Sequence, residues 1–147
     1  MSDKWDERFL LLAREISTWS KDPSTQIGAV AVRDRQILSV GYNGFPRGIE
    51  DTPERLNHRE TKYKYVVHAE QNLIYNAVNN GTSLKGSDLY VWGLPVCSEC
   101  AKGVIQAGFS KVYWSTVSNK TIDKRWETLY NSTVEMFNEV GIEVYAI

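Results

Sequence analysis

Two short motifs contain every cysteine of this 147-residue chain and one of its two histidines. The first is His68-Ala69-Glu70, and the second is residues 97–100, Cys-Ser-Glu-Cys. One imidazole and two thiolates suit a borderline-soft ion such as zinc, and a site with three protein ligands keeps a fourth position for water, as catalytic zinc sites do. Glu70 follows the histidine closely enough to exchange protons with that water. The motifs therefore predict one catalytic zinc ion per chain, held by His68, Cys97 and Cys100, with Glu70 as the acid–base group.

Two helices are expected to carry these residues. Apolar residues recur at helical spacing from His68 to a stop at Gly81, and again from Cys97 to Gly108. The second helix would hold Cys97 and Cys100 in its first turn, where the positive end of the helix dipole favours thiolates. A redox Cys-x-x-Cys pair and a structural zinc knuckle are the alternatives. The histidine and glutamate upstream favour the catalytic ion.

Length and composition limit the classes of function. A chain of 147 residues with 42% hydrophobic residues predicts one globular domain over residues 1–147. Its net charge of −1 argues against a nucleic-acid polymer as partner. No segment approaches membrane-spanning length, which predicts no membrane partner. Two cysteines used as metal ligands indicate a reducing, cytoplasmic location.

The rest of the chain alternates helices and strands. Apolar residues predict an opening helix between Trp5 and Trp19, a hairpin over 27–42, strands near 89–92, 112–114 and 143–146, and a last helix between Ile122 and Val140. This order predicts the α/β class with a three-layer α/β/α sandwich. Residues 43–64 show no convincing period and are expected to form a long functional loop. The tryptophans assigned to packing positions are Trp5, Trp19, Trp114 and Trp126.

Further motifs lie along the chain at residues 21–30 (KDPSTQIGAV), 41–48 (GYNGFPRG), 64–70 (KYVVHAE), 97–102 (CSECAK) and 105–108 (IQAG). Together they resemble the deoxycytidylate (dCMP) deaminase branch of the cytidine deaminase superfamily over nearly the whole chain. The resemblance implies a cytidine deaminase-like fold with a central mixed five-stranded sheet. It also implies zinc-dependent hydrolysis of dCMP to dUMP with release of ammonia.

The resemblance assigns substrate-binding roles as well. It implies that Asn43 hydrogen-bonds the sugar and that Ile27 packs on the base. It places Lys21, Ser24 and Thr25 near the expected phosphate end. The substrate-binding residues that it implies are Lys21, Ser24, Thr25, Ile27, Asn43 and Ala69.

Regulation and assembly are also implied by the resemblance. Members of this branch are often hexamers activated by dCTP and inhibited by dTTP, which implies a homo-oligomer with an effector site and Mg²⁺ accompanying the triphosphate. The regulatory positions carried over are Tyr42, Gly44, Arg47 and Gly48, with Arg55 and Arg59 as further candidates. A glycine- and proline-rich turn with an arginine suits a phosphate, although a plain tight turn is the alternative interpretation.

Two features depart from the family pattern. Val96 lengthens the usual proline–cysteine spacing by one residue, which predicts a different loop at the entrance to the zinc helix. No cysteine is left for the second, structural zinc of some relatives, and His58 is expected to be a solvated loop residue. The functions left open are a bifunctional dCMP/dCTP deaminase, a cytidine or cytosine deaminase, a tRNA adenosine deaminase and a non-catalytic, zinc-stabilised interaction module.

Overall fold

A computed structural model of the chain describes residues 3–116 and 124–147. The helices are α1 (Lys4–Ser17), α2 (Pro53–Asn57), α3 (Arg59–Tyr65), α4 (Ala69–Asn80), α5 (Ser98–Ala107) and α6 (Lys124–Val140). The strands are β1 (Gly28–Arg33), β2 (Gln36–Tyr42), β3 (Asp88–Gly93), β4 (Lys111–Thr116) and β5 (Glu143–Ala146). No helix among the described residues is both long and apolar enough to cross a membrane.

The strands form one sheet in the order β2-β1-β3-β4-β5. The pairs β1/β2 and β1/β3 are antiparallel, whereas β3/β4 and β4/β5 are parallel. Each parallel pair is joined through a helix, as a parallel connection requires. The prediction of a mixed five-stranded sheet is therefore confirmed.

Alternate residues of the central strands pack on opposite faces of the sheet. Ala29 and Ala31 of β1 belong to the cluster that contains residues of α4 and α5, whereas Val30 and Val32 belong to the cluster that contains residues of α1. This alternation is the period of two expected of a strand buried on both faces. Helices thus cover both faces of the sheet, and the three-layer arrangement is confirmed.

Gly41 of β2 allows α4 to pack closely on the sheet. A Cβ atom at this position would lie 2.4 Å from the carbonyl oxygen of Ala69 and 2.4 Å from the amide nitrogen of Leu73. Both atoms belong to the backbone of α4, so no side-chain rotation could relieve the clash. The start of α4, directly after His68, is therefore positioned by a residue without a side chain.

Three expectations about local structure need correction or lie outside the described residues. Residues 43–64, expected to be a loop, contain α2 and most of α3. Trp19, expected to be a packing residue, lies after the end of α1 at Ser17 and is 53% exposed. Of the residues assigned to the last helix, Ile122 and the side chain of Trp126 lie outside the described part of the chain.

Candidate active site

His68 is the N-cap residue of α4 and has an extended backbone (φ −68°, ψ 156°). The preceding residue, Val67, exchanges two backbone hydrogen bonds with Gly44, at 3.1 and 2.8 Å. On the other side, the amide of Asn72 donates to the His68 carbonyl at 2.9 Å and begins the helix. The backbone that carries the imidazole is therefore held from both directions.

The two cysteines lie at the start of α5. Cys97 is its N-cap, one residue earlier than predicted, and Cys100 lies in the first turn. Hydrogen bonds from the Cys100 thiol and from His68 lower the pKa of Cys97 to about 4, against the effect of its burial. The same bond between the sulfurs, together with burial, raises the pKa of Cys100. A bound divalent cation would displace the proton of the Cys100 thiol, because cysteine binds metals as a thiolate.

We call His68, Cys97 and Cys100 the metal cluster. The Nδ1 atom of His68 lies 3.5 Å from the Cys97 sulfur and 3.3 Å from the Cys100 sulfur. The donor atoms of the three residues all lie within 4.8 Å of one another. One imidazole nitrogen and two thiolate sulfurs in this arrangement fit zinc, and they leave one tetrahedral position for a non-protein ligand.

Glu70 lies in the first turn of α4, beside the metal cluster. Its side chain is 4% exposed, and its Oε1 atom has no hydrogen-bond partner among the described residues. Burial raises the pKa of this carboxyl to about 7, although the nearby charge of His68 opposes the shift. A buried carboxyl with an unpartnered oxygen and a pKa near neutrality suits a group that both accepts and donates a proton.

A cavity of about 430 Å³ opens onto the metal cluster. Its lining includes His68, Glu70 and Cys97 and also four of the predicted substrate-binding residues, which are Ser24, Thr25, Ile27 and Asn43. The volume lies within the range of ligand-binding clefts in proteins. The structure therefore brings residues from the 22–27 segment to the same cavity as the metal cluster.

Asn43 holds the 22–27 segment in place. Its buried side chain accepts a hydrogen bond from the Ile27 amide and donates one to the Thr25 carbonyl, both at 2.9 Å. Its own carbonyl accepts a hydrogen bond from Ser20 Oγ at 2.8 Å. An amide side chain has two donors and two acceptor lone pairs, so Asn43 keeps capacity for a ligand in the cavity.

Two predicted substrate residues do not line this cavity. Lys21 is 69% exposed in its side chain and forms an ion pair with Asp51 at 3.2 Å. Ala69 is fully buried in the core on the α4 side of the sheet. Neither residue is among those that face the cavity.

Three charged residues of the lining are Asp22, Arg59 and Lys62, which we call the charged wall. Arg59 was predicted as a candidate regulatory residue, and no site role was predicted for Asp22 or Lys62. Lys62 Nζ lies 3.4 Å from Asp22 Oδ1, and the two side chains are 12% and 10% exposed. The same carboxylate oxygen accepts hydrogen bonds from the backbone amides of Ser24 and Thr25, at 2.8 and 3.1 Å. Asp22 thus fixes the turn over residues 22–25 and also ties it to α3.

Helix signals in the sequence could have revealed α2, the helix that precedes the charged wall. Thr52 caps α2 through its side chain, and Pro53 occupies the first helical turn, a combination that marks a helix start. Arg59 and Lys62 then share one face of α3 at i, i+3 spacing. The missed lining residues are Asp22, Pro23, Leu56, Asn57, Arg59, Lys62, Tyr63, Val66, Leu94, Pro95 and Tyr130.

The predicted regulatory residues lie near a separate depression of about 290 Å³. Tyr42, Gly44 and Arg47 line it, whereas Gly48, with its positive φ of 82°, does not. The Arg47 guanidinium donates a hydrogen bond to the side chain of Asn76 on α4. Arg59 belongs to the charged wall instead, and His58 is exposed and caps α3, in agreement with its solvated assignment.

Comparison with known proteins identifies the family. Residues 3–116 match the family model described as the cytidine and deoxycytidylate deaminase zinc-binding region. The chain belongs to this family. The deoxycytidylate deaminase of Homo sapiens is 44% identical to this chain over 145 residues, which cover 95% of this chain and 77% of the human protein.

Two further relatives match over most of their length. A protein from Aliivibrio fischeri, named as an uncharacterized deaminase in the luxG 3′ region, is 40% identical over 144 residues, which cover 98% of this chain and 94% of that protein. The crystal structure of the dCMP deaminase from the cyanophage S-TIM5, in complex with dCMP and dUMP, superposes with a TM-score of 0.78 at 26% identity. That match covers 100% of this chain and 99% of the phage protein.

Proposed function

We propose that this chain hydrolyses dCMP to dUMP and ammonia at the cavity above the metal cluster. The observation that carries the proposal is the buried carboxyl of Glu70, which lies beside the three residues of the metal cluster. Its Oε1 atom has no hydrogen-bond partner among the described residues. A purely structural zinc site has no use for such a carboxyl. The human and phage relatives named as dCMP deaminases support the choice of substrate.

The residues divide the chemistry between them. His68, Cys97 and Cys100 would hold zinc, which when bound supplies Lewis-acid activation of water for attack on the ring carbon that bears the amino group. Glu70 takes a proton from water and delivers it to ring N3. It then takes the second proton of that water from the hydroxyl group formed on the ring carbon and delivers it to the departing amino group, so that ammonia leaves. The overall balance is one water consumed and one ammonia released.

The charged wall supplies the recognition of the 5′-phosphate. Lys62 and Arg59 are cations, and Asp22 is a single anion whose Oδ1 atom is already occupied by Lys62 and two backbone amides. The Lys62 ammonium has three donors, so it can keep its bond to Asp22 and donate to a phosphate oxygen as well. Ile27 packs against the cytosine ring, and Asn43 donates to the sugar.

Release of ammonia from dCMP, dCTP, CMP, cytidine and cytosine by zinc-loaded protein tests this proposal. We expect dCMP to be turned over with the highest kcat/KM. Consumption of dCTP at a similar rate would establish a bifunctional enzyme instead. A protein that binds one zinc ion but releases ammonia from none of the five compounds would be a non-catalytic module.

We also propose regulation at the depression lined by Tyr42, Gly44 and Arg47. An arginine beside a glycine- and proline-containing turn suits a triphosphate, with Mg²⁺ as its counter-ion. We expect dCTP to lower and dTTP to raise the dCMP concentration at half-maximal rate, by roughly 5–150-fold. Arg47→Ala should weaken both responses and leave the effector-free rate unchanged. Saturation curves that neither triphosphate alters would contradict the proposal.

Assembly and location remain predictions from the sequence. A homo-oligomer, expected to be a hexamer, would be recognised by light scattering of the eluting protein at micromolar concentration. Fractionation of the source cells would test the cytoplasmic location.

A further inference from the structure

The C-terminal helix α6 contributes to the active site although it lies beyond the residues matched by the family model. That match ends at residue 116, and α6 spans Lys124–Val140. Three residues at i, i+3 and i+7 spacing on one face of α6 are buried, and they are Tyr130, Thr133 and Phe137. Tyr130 lines the catalytic cavity, and Phe137 belongs to the same core cluster as Val96 and Cys97.

Thr133 joins α6 to the segment that leads into the metal cluster. Its fully buried hydroxyl donates a hydrogen bond to the carbonyl oxygen of Val96 at 2.9 Å. Val96 lies between Pro95 and Cys97, and its side chain is also fully buried. A buried carbonyl needs a donor. Thr133 provides that donor.

The geometry of the peptide bond connects this contact to the zinc ligand. The carbonyl of Val96 and the nitrogen and Cα atoms of Cys97 lie in one rigid plane. A hydrogen bond that fixes the carbonyl therefore also fixes the position from which the Cys97 side chain projects. Cys97 has an extended conformation (φ −75°, ψ 166°). Its own carbonyl oxygen accepts a hydrogen bond from the Ala101 amide at 2.9 Å. The residue is thus held on both sides, by α6 before it and by α5 after it.

We infer that Thr133 is a positioning residue that holds the Val96–Cys97 peptide in the orientation required for metal binding. The inference rests on the metal cluster of the proposed function but not on the identity of the substrate. Thr133 itself takes no part in proton transfer and does not line the cavity. Its effect is on how long the protein retains zinc.

The rate of zinc transfer to a chromogenic chelator tests the inference. Thr133→Val removes the hydroxyl and keeps the shape, and we expect zinc release to accelerate by roughly 10–100-fold, the usual effect of losing an outer partner of a metal site. Thr133→Ser keeps the hydroxyl and should release zinc at close to the wild-type rate. Thr133→Ala removes both the hydroxyl and the γ-methyl group of threonine, and its zinc release should accelerate as in Thr133→Val.

Ser87→Ala is the matched control. Ser87 is also fully buried, and its hydroxyl donates to the Leu84 carbonyl at 2.5 Å, but it does not line the cavity. We expect Ser87→Ala to release zinc at the wild-type rate. Wild-type release from both Thr133→Val and Thr133→Ala would overturn the inference, and so would equal acceleration in Ser87→Ala or in Thr133→Ser. Wild-type protein that binds no zinc would overturn the metal cluster itself, and the inference with it.

Discussion

The metal cluster and the charged wall line the same cavity but are held in place by different forces. The metal cluster lies at the first residues of α4 and α5, which pack on the sheet through buried apolar side chains. The charged wall lies on a turn and on the seven-residue helix α3, which has no buried residue. An ion pair between Lys62 and Asp22 joins the turn to this helix. The residues proposed to carry the chemistry therefore lie on helices packed on the core, and the residues proposed to bind the phosphate are joined by polar contacts.

The largest expected effect is on the chemical step. Glu70→Gln keeps the size of the side chain but removes its ability to exchange protons. We expect kcat to fall by about 10⁴-fold, the upper end of the range for general acid–base catalysis, because one group handles several transfers. Zinc content by elemental analysis should stay near one per chain. A glutamine variant with near-normal kcat would mean that Glu70 is not the proton carrier.

A smaller effect is expected at the charged wall. Lys62→Met removes the charge and keeps much of the length of the side chain, and loss of a charge-assisted hydrogen bond should raise the KM for dCMP by roughly 10–150-fold. Lys21→Met is the matched control, because Lys21 also pairs with an aspartate but is exposed and does not line the cavity. Steady-state kinetics give the KM for dCMP of both variants, and we expect the larger rise in Lys62→Met. A larger rise in KM for Lys21→Met would restore the role that the resemblance implies for Lys21.

The smallest effect concerns the packing that supports the metal cluster. Gly41→Ala would force its Cβ against the backbone of α4, and we expect a loss of about 1–3 kcal/mol in the free energy of unfolding. Gly44→Ala is the control, since a Cβ there would meet no atom within 4 Å. Urea denaturation of the zinc-loaded proteins measures both. Equal stability of the two variants would show that α4 does not depend on the close approach at Gly41.

Sequence reasoning predicted the two regions unequally. His68, Glu70, Cys97 and Cys100 are arranged in short local motifs, so their types and spacing were enough to predict that they act together. The charged wall depends on a contact between residues 22 and 62, and an exposed helix such as α3 has no apolar period to reveal it. Lys21 and Lys62 cannot be distinguished by residue type.

The same limit applies to α1 and α6. Trp19 continues the helical spacing of α1, but the helix ends at Ser17. The end was predicted wrongly because apolar periodicity does not locate the last residue of a helix. The bond between Thr133 and Val96 joins residues 37 positions apart and has no sequence signal. The three layers were predictable because most strands and helices of this chain have regular apolar patterns. The mixed five-stranded sheet was implied by the family resemblance.

The central claim is that the metal cluster and Glu70 act on the ring, whereas the charged wall binds the phosphate. The most direct test compares kcat/KM for dCMP and for deoxycytidine in wild-type protein and in Lys62→Met. The two substrates differ only in the phosphate, and the metal cluster and Glu70 treat their rings alike. We predict that the variant loses roughly 10–150-fold on dCMP and almost nothing on deoxycytidine. An equal loss on both substrates, or a wild-type protein that does not prefer dCMP, would contradict the assignment of phosphate recognition to the charged wall.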